Sequence, residues 1–147
     1  MNNYQHILIA VDYSPHSEIV AHRAKALADQ HKAKLSIIHV LDSIPMPDTN
    51  YGTLIPLDTE TYYELLEIEK RKFQQLTQQL NIDSSNQWLV WGVPKQEIIN
   101  IAEQEQVDLI VIGSHGRHGL ALLLGSTANS VLHYARCDVL AVRLQDD

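Results

Sequence analysis

Five short apolar runs, each separated from the next by a stretch with helical spacing, decide what this chain can become. They are Ile7–Val11, Lys34–Leu41, Gln87–Trp91, Val107–Ile112 and Asp138–Val142. A short continuous apolar run reads as a strand covered on both faces, and helices crossing over a parallel sheet supply that cover. Between the runs, Ile19, Ala21, Ala24, Leu27 and Ala28 predict a helix from about Ser17 to His31. Tyr62, Leu65, Leu66, Phe73, Leu76 and Leu80 predict a second, capped by Asp58 or Thr59 and running to about Leu80. Gly92-Val-Pro94 opens a third, with Ile98, Ile99, Ile101 and Ala102 inward, and Ser126 to Ala135 form a fourth. The order β-α-β-α-β-α-β-α-β predicts an α/β fold, a parallel sheet with helices on both faces. The residues leave two strand orders open, a Rossmann-like half and the flavodoxin-like 2-1-3-4-5 type with its close relatives.

The chain has 147 residues, so it reads as one domain, residues 1–147, with room for a proper core. Its net charge of -7 argues against nucleic acid or an anionic membrane as a partner, because both attract a basic face. A small anionic ligand needs only local donors and stays open. The single cysteine, Cys137, excludes an internal disulfide framework and reads as a packing residue. The start carries no basic segment ahead of an apolar stretch, and no run nears the ~20 residues of a membrane span. The expectation is a cytoplasmic protein. Asp42 to Leu57 forms a long proline-bearing loop with Tyr51, suited to cover a ligand, contact a partner or remain mobile surface.

The segment after the fourth strand carries the functional signal. Gly113-Ser-His-Gly116 and Gly125-Ser-Thr127 bracket a loop that leads into a helix, with no aspartate or glutamate from Gly113 to Ser130. Glycines let backbone N–H groups approach an anion, and a helix start adds unpaired donors and a positive dipole end. Ser126 and Thr127 sit where hydroxyls can hold phosphate oxygens, cap the helix, or both. The loop is not a Walker A sequence, since no lysine precedes Ser126, and nothing after Val11 fits a dinucleotide fingerprint. Asp12, ending the first strand, can accept from sugar hydroxyls, hold Mg2+ through water, or cap the next helix. If strands one and four are neighbours, Asp12 and the Gly113 loop face one crevice. His115 and His118 lack further ligands for zinc and suit phosphates or solvent better. His39, on a strand, reads as a satisfied half-buried histidine. Leu120 to Leu124 reads as a lid packed on the core.

These features together resemble the universal stress proteins of the UspA superfamily, nucleotide-binding branch. Members of that branch carry Gly-x2-Gly-x9-Gly-Ser/Thr after the fourth strand. Here Gly113, Gly116, Gly125, Ser126 and Thr127 match both ends, with eight residues instead of nine between Gly116 and Gly125. The start Ile7-Leu-Ile-Ala-Val-Asp12-Tyr-Ser14, the strand end Ile38-His39-Val40 and the close Cys137-Asp-Val-Leu-Ala-Val-Arg143 match too. The resemblance implies a three-layer sandwich of the adenine nucleotide alpha hydrolase-like kind, a flavodoxin-like relative with strand order 3-2-1-4-5. It implies a homodimer, and ATP or AMP between the first and fourth strands. On that analogy Ala10 and Val11 lie under the adenine with Val40 beside it, and Asp12 is the acid on the ribose or metal side. Ile112 and Gly113 flank the ribose and α-phosphate, His115 and Gly116 line the phosphates, and Gly125, Ser126, Thr127 and Asn129 close the site.

Val139, Leu140, Ala141 and Val142 are apolar on both faces of what topology makes an edge strand, and pairing with a second copy would cover them. The expected function is adenine-nucleotide binding for sensing or signalling in a stress response. The alternatives are a nucleotide-free dimeric interaction module and a slow ATP hydrolase. The chain offers no P-loop lysine, no evident general base and no arginine clamp beyond Arg117, so catalysis beyond weak ATPase activity is not expected.

Overall fold

The computed structural model describes residues 3–12, 17–41, 59–114 and 126–143, without the side chains of residues 59–62 and 65. Strands β1 (His6–Val11), β2 (Lys34–Leu41), β3 (Gln87–Trp91), β4 (Leu109–Gly113) and β5 (Asp138–Val142) alternate with helices α1 (Ser17–His31), α2 (Thr59–Gln79), α3 (Pro94–Gln104) and α4 (Ser126–Tyr134). A short 3-10 turn, Ser84–Asn86, leads into β3. The strands form one parallel sheet in the order β3-β2-β1-β4-β5. This selects among the orders that residue spacing left open and agrees with the one the resemblance implied. The Asp42–Leu57 loop, the Asp58 cap, Tyr13 to His16 and the Leu120–Leu124 lid lie outside the described residues.

The sheet carries an apolar core on each face. Ile7, Ile9, Val11 and Ile37 pack with Val20, Ala21, Ala24 and Ala28 of α1 and with Phe73 and Leu76 of α2. Leu8, Ala10, Ile38, Val40, Ile110 and Ile112 pack with Ile98, Ile101 and Ala102 of α3 and with Ala128 and Val131 of α4. β1 is buried at all its positions, as expected of a central parallel strand. The alanines of α1 let its backbone lie close to the sheet. One helical position departs from the sequence reading: Ile19 is half exposed and Val20 takes the inward place. Both residues are β-branched and apolar, and the 17-20-21-24-28 stripe puts Val20 on the buried face.

Three helices stop in the same way, and none uses glycine. Lys32, Asn81 and Gln106 each adopt a left-handed φ (55°, 56° and 56°) one or two residues past the ends of α1, α2 and α3. In each case the next residue donates its N–H back five positions: Ala33 to Ala28, Ile82 to Thr77 and Val107 to Ala102. The left-handed residue itself donates to Asp29, Gln78 or Glu103. This is the Schellman closure, with a buried or half-buried apolar residue following the turn. It also moves the start of β4. Val107 closes α3, Asp108 follows, and the strand begins at Leu109.

Candidate functional site

β1 and β4 are hydrogen-bonded neighbours, with Ala10 opposite Ile112. The carboxyl end of β1 leads into Asp12, and that of β4 into Gly113 and Ser114, so the two segments emerge side by side on one rim. Here the connections change direction: β1 to β2 to β3 proceeds one way across the sheet, β4 to β5 the other. Open α/β sheets bind ligands at such a reversal, beyond the carboxyl ends of the strands. Asp12 is half-buried and accepts a long hydrogen bond (3.4 Å) from the Ser17 hydroxyl at the start of α1. Ser114 is almost buried and donates its N–H to the Val142 carbonyl at 2.8 Å, continuing the β4–β5 ladder past Gly113.

The pleat sorts the residues that the resemblance singled out. Ala10, Val40 and Ile112 belong to the core on the α3/α4 side, whereas Val11 belongs to the core on the α1/α2 side. Ala10 and Val11 therefore point to opposite faces, and a ligand over Ala10 would meet only the backbone of Val11. Ser126 opens α4 on the Ala10 side, with Ser126 exposed, Thr127 half-buried and Asn129 exposed. The first turn of α4 holds no acidic residue. His115, Gly116 and Gly125, and with them His118, lie outside the described residues. Among the described residues no group of three or more His, Cys, Asp or Glu is gathered as a metal would require.

Two buried histidines differ in what their nitrogens face. His6, at the opposite rim, has Nδ1 3.0 Å from the Glu105 carbonyl and Nε2 2.6 Å from the Ser36 hydroxyl. A carbonyl only accepts, so Nδ1–H donates to it and Nε2 accepts from the Ser36 O–H. The neutral ring satisfies both partners, and burial pushes its pKa below the usual histidine value. His39 is 2% exposed, with Nδ1 2.9 Å from the Val11 carbonyl and Nε2 2.9 Å from Glu69 Oε2 of α2. The reading of His39 as a satisfied residue is matched, with burial more complete than half. Glu69 escapes sequence reasoning because its partner is thirty positions away and one turn of α2 looks like another. Asp108 escapes it too. Its carboxylate accepts from the N–H groups of Gln5 and His6, fastening the entry to β1 against the entry to β4.

β5 is an edge strand whose Val139, Leu140 and Ala141 are half-buried and whose Val142 is buried. Leu132 and Tyr134 on α4 are exposed. A cleft of about 300 Å³ lies at the amino ends of β4 and β5, away from Asp12 and Gly113, lined by Ile99, Ala102, Gln106, Val107 and Cys137 among others. Burial raises the pKa of the Cys137 thiol, which suits a packing residue and not a reactive one. Among the described residues no helix is long and apolar enough to cross a membrane.

A parallel 3-2-1-4-5 sheet with an acid and a glycine side by side at its reversal point defines the class, an α/β protein with a single doubly wound sheet. Residues 3–143 match the universal stress protein family, and the chain belongs to it. Universal stress protein A homolog 2 of Coxiella burnetii is 42% identical over 146 residues, covering 99% of both chains. Universal stress protein MJ0577 of Methanocaldococcus jannaschii is 29% identical over 154 residues, 95% of each. The solved structure of MJ0577 superposes with a TM-score of 0.79 at 28% identity, over 99% of this chain and 100% of that one. A universal stress protein solved in complex with cAMP shares the fold, with a TM-score of 0.64 at 24% identity over 96% of this chain and 98% of that one.

Proposed function

We propose that this chain is a single-domain, homodimeric, cytoplasmic protein that binds ATP or AMP and uses the bound state to sense or signal stress. The observation that carries the reading is the adjacency of β1 and β4, which puts Asp12 and Gly113 together at the reversal point. From there the chain runs through Gly116 and Gly125 to the start of α4, whose first turn is free of acidic residues. The family relative complexed with cAMP supports the capacity of the fold to hold an adenine nucleotide. Ala10, Val40 and Ile112 supply an apolar surface for the base. Asp12 suits the ribose hydroxyls, or a Mg2+ ion carried by the nucleotide's own phosphates and reached through water. Ser126, Thr127 and the glycine backbone suit the phosphates. Pairing of two copies along Val139, Leu140, Ala141 and Val142 would cover the apolar edge of β5.

Calorimetric titration of nucleotide-stripped protein with ATP, ADP and AMP, with and without Mg2+, tests the site. Binding tighter than ~100 μM, about 5–6 kcal/mol, supports it. Gly116→Val should abolish binding with the thermal transition unchanged, and unaltered affinity would remove the basis for the site. No heat from any of the three nucleotides would favour a nucleotide-free dimeric module. ATP turnover that vanishes in Asp12→Ala and Gly116→Val would favour a slow hydrolase.

A further inference from the structure

The cleft at the amino rim lies where two helices end. α3 stops at Gln104 and α4 at Tyr134. Both cross back over a parallel sheet on the same face, so their carboxyl ends come out together over the starts of β4 and β5. Ile99, Ala102 and Val107 line the cleft from α3 and its closing turn, and Ala135 and Cys137 line it from the end of α4. These make an apolar floor. The charged residues of the lining are Glu103 and Arg136. A volume of about 300 Å³ is at the small end of ligand pockets. It has room for roughly ten non-hydrogen atoms, counted at a liquid water's share of about 30 Å³ each.

The surroundings of this floor are negative. A helix carboxyl end carries about half an elementary negative charge, so two of them amount to about one. The Glu103 carboxylate stands on the wall. Burial first, then the Asp138 and Asp108 carboxylates, push the Cys137 thiol above its ordinary pKa, so both acids are felt at the cleft. Against them stands Arg136, whose Nε is 3.3 Å from Glu103 Oε1. The arginine side chain is 86% exposed, so it reaches the carboxylate from the solvent side and leaves the cleft beneath open. We propose that this cleft binds a small organic cation, a primary amine on an apolar body of about six to nine carbons. The ammonium sits at Glu103, and the tail lies on Ile99, Ala102, Val107 and Ala135. A carboxylate in its place would meet Glu103 and two negative helix ends, with an already engaged Arg136 to hold it. An uncharged molecule would gain the apolar contact and none of the field. The cleft is at the far end of β4 from Gly113, so the proposal stands apart from the nucleotide reading.

Hexylamine, hexanol and hexanoate share one tail and differ in charge. Titrating each into the full chain at neutral pH, followed by amide proton–nitrogen NMR, locates and ranks them. Hexylamine should bind with a Kd of about 0.1–1 mM, shifting Gln106, Val107, Ala135 and Cys137 and leaving Gly113 in place. Hexanol should bind about fivefold more weakly, the effect of one charge pair near 4 Å in water, and hexanoate more weakly still. No saturable shift at the cleft with hexylamine would overturn the proposal, and so would hexanol binding equally well. Two surface variants should act with opposite signs. Glu103→Gln should weaken hexylamine about fivefold, and Arg136→Gln, which removes the competing cation, should tighten it by a similar factor. Unaltered affinity in both would overturn the seat of the ammonium. Ala135→Leu, which sends a side chain into the cleft, should abolish binding with the thermal transition kept. Hexylamine bound by that folded variant as by the wild type would overturn the seat of the tail.

Discussion

Replacing Lys32 and Gln106 by glycine should stabilise this protein, although both residues are exposed and glycine adds no contact. Each sits in the left-handed region after a helix, at φ 55° and 56°. A residue with a Cβ pays about 1–2 kcal/mol there. Glycine avoids that cost but loses about 0.5–1 kcal/mol more backbone entropy on folding. The difference leaves a gain of about 0.5–1 kcal/mol per site. Lys32 follows α1 and Gln106 follows α3, which pack on opposite faces of the sheet, so the two gains should add. The double variant should gain about 1–2 kcal/mol, roughly 2–8 °C in Tm for a chain of this size. Urea unfolding at unchanged m-value reads it. Lys32→Ala and Gln106→Ala serve as controls that shorten the side chain and keep the Cβ. If alanine and glycine behaved alike, or if glycine lowered the midpoint, the dihedral argument would be refuted. Asn81→Gly should gain less, because asparagine tolerates the left-handed region better than lysine or glutamine.

Gly92 should respond in the opposite sense. Its φ is +149°, and a Cβ there would stand 2.8 Å from Glu97 Cγ. Gly92→Ala should cost about 1–3 kcal/mol. Glu97→Ala in the same chain should fail to restore it, since the glutamate can swing aside and the dihedral cannot. His6 predicts a pH dependence. Burial lowers its pKa, so the unfolded chain binds the proton more readily than the folded one. This stabilisation is complete above the unfolded value near 6.5 and is lost as pH falls through the folded one. Urea midpoints should therefore drop below about pH 6.5 more steeply in the wild type than in His6→Gln.

The sheet was readable from sequence because parallel strands must be apolar on both faces, and runs such as Ile7–Val11 can do little else. The order of the strands was not readable from the runs, since pairing is decided by contacts far apart in the chain. It came from resemblance. Helix faces were readable where apolar spacing was unambiguous, as at Ile98, Ile101 and Ala102. Reading failed at Ile19 and Val20, where adjacent apolar residues competed for one buried place. The helix ends hid for a different reason: a lysine or glutamine at the left-handed position carries no sign of the turn it makes. That is why Val107 was read as strand when it closes α3. At the rim, Asp12 and Gly113 were legible because a change of residue type marks the end of each apolar run. The His39–Glu69 contact was not, because only the fold brings them together.

The central place of β1 has a price during synthesis. β1 is made first, and β2 covers one of its edges early. Its other edge waits for Leu109–Gly113. At roughly 5–20 residues per second, the residues between Leu41 and Leu109 occupy a ribosome for about 3–14 s. Through that interval a strand that the finished fold buries at every position presents a bare row of N–H and C=O groups, the kind of edge on which strands of other chains add. A nascent chain arrested before Leu109 should for this reason be the most aggregation-prone species on its path, and the one a chaperone would meet.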